Sequence, residues 1–189
     1  HKLNALCYHF RGDKGDPDQY SLARVGYQLA GRLDPGDSSI PYYLGLLSFS
    51  QNRLKTAQNH FAEAIILDDR KHEYYLGLAA ASYYLGELER AYKNIKRASA
   101  MKPGDVETIQ ASGLIHAAMG AFTWAERREG QLAEKSQARH AYLSRRIEDW
   151  KNYYSANRLS SDTDFRFLMA QNLDLYGVPK GGMFDSTDP

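Results

Sequence analysis

A single cysteine, Cys7, leaves this 189-residue chain no internal disulfide and no thiolate cluster for a metal. Charge of one sign is also missing. Twenty-four Lys and Arg stand against 23 Asp and Glu, and a net charge of +1 gives no electrostatic case for nucleic acid. No apolar run approaches the ~20 residues that cross a bilayer. A signal peptide and an initiating Met are absent, so the chain reads as an excised or processed piece of something longer. There is no nucleophile elbow, phosphate loop or dinucleotide glycine pattern. The six histidines have no Cys or carboxylate at ligand spacing. Cys7 and His9, two apart, are poorly placed for any metal on a helix. Asp13, Asp16 and Asp18 resemble part of a calcium loop, but the glycine and the final Glu are misplaced, and a plain acidic turn accounts for them. Arg11-Gly12-Asp13 matches an integrin-recognition tripeptide, but three residues often match by chance. The expectation is therefore no catalysis, no cofactor and no metal.

What is present is period. His72–Pro103 reads as two short helices broken at Leu85-Gly86-Glu87 and stopped by Pro103. Thirty-four residues before Ala91, Ile95, Ala98 and Pro103 stand Ala57, Phe61, Ala64 and Asp69; the same step again reaches Ala23, Tyr27, Ala30 and Pro35. Forward, Gly86 and Ala91 map to Gly120 and Ala125. Small residues at helix crossings let two backbones approach, and larger ones there force them apart. One block keeps a different step. Tyr42-Tyr43-Leu44-Gly45-Leu46 returns as Tyr74-Tyr75-Leu76-Gly77-Leu78, slightly too early for the alanine period, and on the second-helix register the match reads as partly accidental.

This order of aromatic, Leu, small, Gly, Ala, bulky, Ala, Pro resembles the tetratricopeptide repeat family over about Asn4–Arg139. The resemblance implies an all-α, right-handed α-solenoid with C-terminal capping helices. Repeats are expected over 1–139, as 4–37 (degenerate), 38–71, 72–105 and 106–139 (degenerate, with Glu129 and Leu132 where a bulky residue and Ala belong). A helical cap is expected over 140–177 and a flexible tail or linker over 178–189.

Locally, Leu3, Leu6, Cys7 and Phe10 share one face of a short first helix, Arg11 to Asp16 reads as a loop, and Asp16-Pro17 as the start of the next helix. Gln51-Asn52 stands where the turn glycine belongs. Ala121 to about Asn157 reads as one long helix, or two with a joint near Ser136. Leu143, Ile147, Trp150 and Tyr154 line one of its faces, as the cap of a repeat stack requires. A last helix opens at Ser161-Asp162-Thr163-Asp164, with Phe165, Leu168, Met169, Leu173 and Tyr176 as its apolar stripe. The cap helices also offer a face for a homo-oligomer.

The family's working surface is the concave side, lined by first helices. This register places Tyr42, Leu46, Phe49, Glu73, Leu76, Tyr83, Tyr84, Glu107 and Gln110 there. Lys, Arg and Asn that clamp a C-terminal carboxylate in some family members are missing from these positions. The expected wall is aromatic and apolar with carboxylates at its edge, suited to an extended or helical segment with apolar anchors. Some of the tyrosines can equally be packed between helices or covered by the C-terminal helices. The resemblance implies a protein-interaction scaffold with a protein or peptide partner, no nucleic acid and no membrane insertion. The alternative is a spacer or assembly segment of a larger protein, such as a bacterial outer-membrane exporter or receptor. On that analogy the compartment leans to the bacterial periplasm, with the cytoplasm as alternative.

Overall fold

The computed structural model describes residues 1–156, and among them every regular element is a helix. In chain order these are α1 (Lys2–Asp13), α2 (Gln19–Leu33), α3 (Ser39–Ser50), α4 (Leu54–Leu67), α5 (His72–Tyr84), α6 (Leu88–Met101), α7 (Val106–Ala118), α8 (Phe122–Ala133) and α9 (Gln137–Ala156). The expected helix with Phe165, Leu168, Met169, Leu173 and Tyr176, and the expected tail, lie outside the described residues.

The joints inside successive helix pairs are the same turn made three times. Asn52, Gly86 and Gly120 have φ of 55°, 73° and 72°, the left-handed region in which a Cβ is costly. After each, one N–H reaches back to close the helix end: Arg53 to Ser48 O, Glu87 to Ser82 O and Ala121 to His116 O, at 2.8–2.9 Å. Asparagine at 52 takes the glycine's place because its short polar side chain tolerates this backbone best after glycine. The residues that open the second helices, Arg53, Glu87 and Ala121, share one backbone conformation, with φ between −91° and −82° and ψ between 60° and 64°.

The crossings are as tight as the alanine spacing implies. Ala23, Ala57, Ala91 and Ala125 are each 0% exposed. Tyr27, Phe61 and Ile95, one helical turn further on, are buried between one pair and the next. Each helix packs on its partner and on the following helix. First helices also touch in series, α1 with α3, α3 with α5, α5 with α7 and α7 with α9, whereas no comparable contact joins α2 to α4, α4 to α6 or α6 to α8. The first helices therefore crowd and the second helices splay, which bends the stack and puts the first helices on its inner side.

Two local expectations change. The loop expected from Arg11 begins later, because α1 continues to Asp13. Gly12 is inside that helix and serves packing, since a Cβ there would meet the Tyr20 ring at 2.5 Å. The helix expected to open at Asp16-Pro17 opens instead at Gln19, after a turn in which Gln19 N–H donates to Asp16 O. After Gly120 the two-helix alternative holds, with the joint at 134–136.

Candidate functional site

Which of the nine sequence-expected groove residues can be reached is decided by what leans over them. Phe49, Leu76, Tyr83, Tyr84 and Gln110 are buried, between 0% and 6% exposed. Tyr42, Leu46 and Glu73 are half-buried, and Glu107 is exposed. Burial, with the guanidinium of Arg146 opposing it, pushes the Tyr83 hydroxyl up to about 12; Tyr142, Arg146 and Trp150 of α9 all act on it. Tyr84 packs edge-on against Phe49 at 5.7 Å and against Tyr83 at 5.1 Å. These rings belong to the main core of α3 to α9.

The reachable residues form a row across the inner side. Tyr42 is held by Tyr74, with ring centroids 4.9 Å apart, and by Phe61 at 5.9 Å. Tyr74 is fixed in turn by its hydroxyl, 3.1 Å from Ser38 Oγ. Burial, then the carboxylates of Glu73 on α5 and Glu107 on α7, push the Tyr42 hydroxyl well above its ordinary range. Leu46, one turn along α3, packs its inner half on the core. Glu73 lies 2.9 Å from His72 Nδ1.

A cation does sit on this wall, and sequence reasoning missed it. Arg139, in the first turn of α9, donates from Nη1 to Gln110 Oε1 and lies 3.2 Å from Glu107 Oε1 through Nη2. It was missed because α9 read as a cap; it packs on α7 as the next first helix of the row. The signal was available, since Arg139 follows Glu107 by the same step that separates Tyr74 from Tyr42. The inner side thus offers an apolar–aromatic floor (Tyr42, Leu46) edged by two carboxylates and a guanidinium.

Among the described residues no group of three His, Cys, Asp or Glu is placed to hold a metal, and no helix is long and apolar enough to cross a membrane.

No family model and no curated protein matches the sequence. Solved structures do. MamA aligns with a TM-score of 0.62 at 18% identity, over 86% of this chain and 91% of its own. YrrB, described as a TPR protein with an unusual peptide-binding site, aligns at 0.62 and 16% identity, over 93% and 86%. A thermophilic TPR protein in Thermus thermophilus aligns at 0.64 and 19%, over 92% and 99%. With the repeated turn, the buried alanines and the inner row of first helices, these likenesses show that the chain has the all-α solenoid fold of tetratricopeptide-repeat proteins.

Proposed function

We propose that this chain is a protein-interaction scaffold that holds a segment of a partner protein on its inner side and carries out no reaction of its own. The observation that carries this reading is the row of Tyr42, Leu46, Glu73, Glu107 and Arg139, set on four successive first helices. A rigid aromatic with a polar tip gives contact area at little entropic cost, and the flanking charges set direction. A segment with an apolar anchor for Leu46 and Tyr42 and a basic residue for Glu73 suits it. Affinity for one such segment is about micromolar, ~8 kcal/mol. Two of the described histidines are occupied structurally: the buried His9 has its Nδ1 3.3 Å from the Tyr27 hydroxyl, and the half-buried His116 donates from Nδ1 to Ser112 O.

One observation favours a second reading, an assembly segment. Leu6 and Phe10 are 38% and 58% exposed, while their counterparts one repeat later, Ile40 and Leu44, pack against α2 and its neighbours. Leu22, Val25, Leu29 and Leu33 add an apolar stripe on α2. That end of the stack suits further helices.

A photo-crosslinking residue placed at 46, and separately at 25, separates the two in a lysate of the source cells. One discrete adduct at 46, lost when Glu73 and Glu107 are changed to Lys, is expected. Adducts at 25 with none at 46 would replace the scaffold reading by the assembly reading.

A further inference from the structure

A hollow of about 510 Å³ opens on the outer side of the stack, between α6, α7 and α8, away from the row of first helices described above. Its walls are aromatic. The His116 imidazole meets Tyr92 edge-on at 5.6 Å and stacks on Trp124 at 6.3 Å. Tyr92 and Trp124 form the rim, 37% and 52% exposed. Arg127 lies over the Trp124 ring, 5.6 Å from its centroid. The lining includes Lys96 and Arg128 and no carboxylate.

The repeat itself shows what is unusual here. One repeat earlier, at the joint of α4, α5 and α6, the same positions carry Gln58, Ser82, Glu87, Arg90 and Asn94 in place of Tyr92, His116, Ala121, Trp124 and Arg128. There the chain fills the space itself. Gln58 Nε2 donates to Ser82 Oγ at 3.1 Å and to Glu87 Oε2 at 2.6 Å, and Lys55 pairs with the same carboxylate. Ser82 Oγ donates to Leu78 O, as His116 Nδ1 does to Ser112 O, so the two joints superpose in role. At the later joint Ala121 removes the carboxylate, Glu89 replaces Lys55, Tyr92 and Trp124 put rings where Gln58 and Arg90 stand, and Arg128 adds a cation where Asn94 stood. The space that Glu87 fills from within is left open and aromatic, with the cations Lys96 and Arg128 in its lining and Glu89 at the position of Lys55.

We propose that this hollow is a second binding site, which takes a short acidic segment of a partner protein: a Glu or Asp side chain entering where Glu87 stands one repeat earlier, with a neighbouring aromatic or aliphatic residue laid between Tyr92 and Trp124. Lys96 and Arg128 supply the complementary charge, and the exposed rim leaves the hollow open to a chain passing along α6 and α8.

Trp124 fluorescence is the readout, since the other tryptophan, Trp150, is buried. The probes are acetyl-Glu-Phe-Glu-Leu-amide and its Gln-Phe-Gln-Leu and Lys-Phe-Lys-Leu counterparts, titrated into the full chain. The acidic peptide is expected to bind at least ten times more tightly than either counterpart. Ala121→Glu places a carboxylate on a backbone that already matches that of Glu87, and is expected to cut binding at least tenfold while the far-UV circular dichroism of the chain stays that of the parent. Lys96→Glu, at an exposed position, is expected to do the same. Glu73→Gln, on the inner side, should leave the titration unchanged, so loss of the inner groove and loss of this site are separable. Equal binding of the Gln peptide, preference for the Lys peptide, no response to any of the three, or undiminished binding by Ala121→Glu would overturn the proposal.

Discussion

The ring of Phe61 lies so close to Gly77 that a Cβ on residue 77 would stand 2.7 Å from its Cε1. A Cβ on residue 45 would likewise stand 2.7 Å from Cδ1 and Cε1 of the same ring. One fully buried phenylalanine of α4 is thus received by a glycine from its own pair and by one from the next. This explains why the block Tyr-Tyr-Leu-Gly-Leu returns early against the alanine period: its two glycines answer to the same ring. Gly77→Ala should therefore destabilise by about 1–3 kcal/mol through overpacking, despite the ~1 kcal/mol that alanine gains in a helix. Phe61→Leu should cost stability alone but relieve Gly77→Ala, and a urea-denaturation double-mutant cycle should give a coupling of about 1 kcal/mol or more. Additive effects would mean that the ring and the glycine do not meet.

Most of the stack was legible because its rules are steric and local. Alanine at 23, 57, 91 and 125 marks crossings that only a small residue allows, and all four are fully buried. The turn at Asn52 was legible from position alone, although the residue is not glycine. Depth was less legible. Periodicity tells which side of α5 carries Tyr83 and Leu76, but not that α9 brings Arg146 and Trp150 towards Tyr83. Gly12 misled in the opposite way, since a glycine beside Asp13 reads as a turn until the Tyr20 ring that needs the space is known. The outer hollow was illegible because nothing in the family pattern constrains Tyr92, Ala121 or Trp124; only comparing one repeat with the one before it exposes them.

Tyr83→Ala and Tyr84→Ala should each cost about 3–5 kcal/mol, as expected for emptying a buried aromatic site. Both rings sit in the core, so loss of binding in these variants would report unfolding rather than a lost contact. Leu46→Glu, at a half-buried position on α3, should instead weaken partner binding on the inner side while costing far less stability. Thermal melts of the three variants check the ranking; Leu46→Glu unfolding as readily as Tyr83→Ala would contradict it.

Asp105 opens α7 by accepting the Thr108 N–H at 3.0 Å and the Thr108 hydroxyl at 2.8 Å on Oδ2. Burial pulls its carboxyl upward, but these bonds and Lys102 outweigh that and hold it below the usual carboxylate value. Asp105→Ala should lower stability by about 0.5–2 kcal/mol, and Asp105→Asn should retain most of the cap. Urea midpoints for the pair distinguish a cap from a plain surface charge, whose removal would leave both variants like the parent.

Stability should fall between about pH 7 and pH 5, before the carboxylates titrate. Burial holds both His9 and His116 below their ordinary value of 6.5; Asp13 partly offsets this for His9, and for His116 the bond to Ser112 partly offsets it while Arg128 adds to it. A histidine whose folded pKa is depressed is neutral in the folded chain while its unfolded counterpart takes up a proton near 6.5. The unfolded state therefore binds more protons as pH drops, and stability is full above that value and declines below it, by at most about 1.4 kcal/mol per pH unit for each histidine, until the folded pKa is passed. Asp37, Glu87 and Asp105 are held low instead, so their contributions disappear only at more acid pH. His116→Ser puts at this position the residue that the two earlier repeats carry, Ser48 and Ser82, whose hydroxyls already bond the carbonyl one turn back. It should flatten the decline by one proton's worth and leave the remainder, from His9, to be removed by His9→Gln. Urea midpoints measured at half-unit steps from pH 7.5 to 5 test this, and an unchanged slope in both variants would show that neither imidazole is held neutral by the fold.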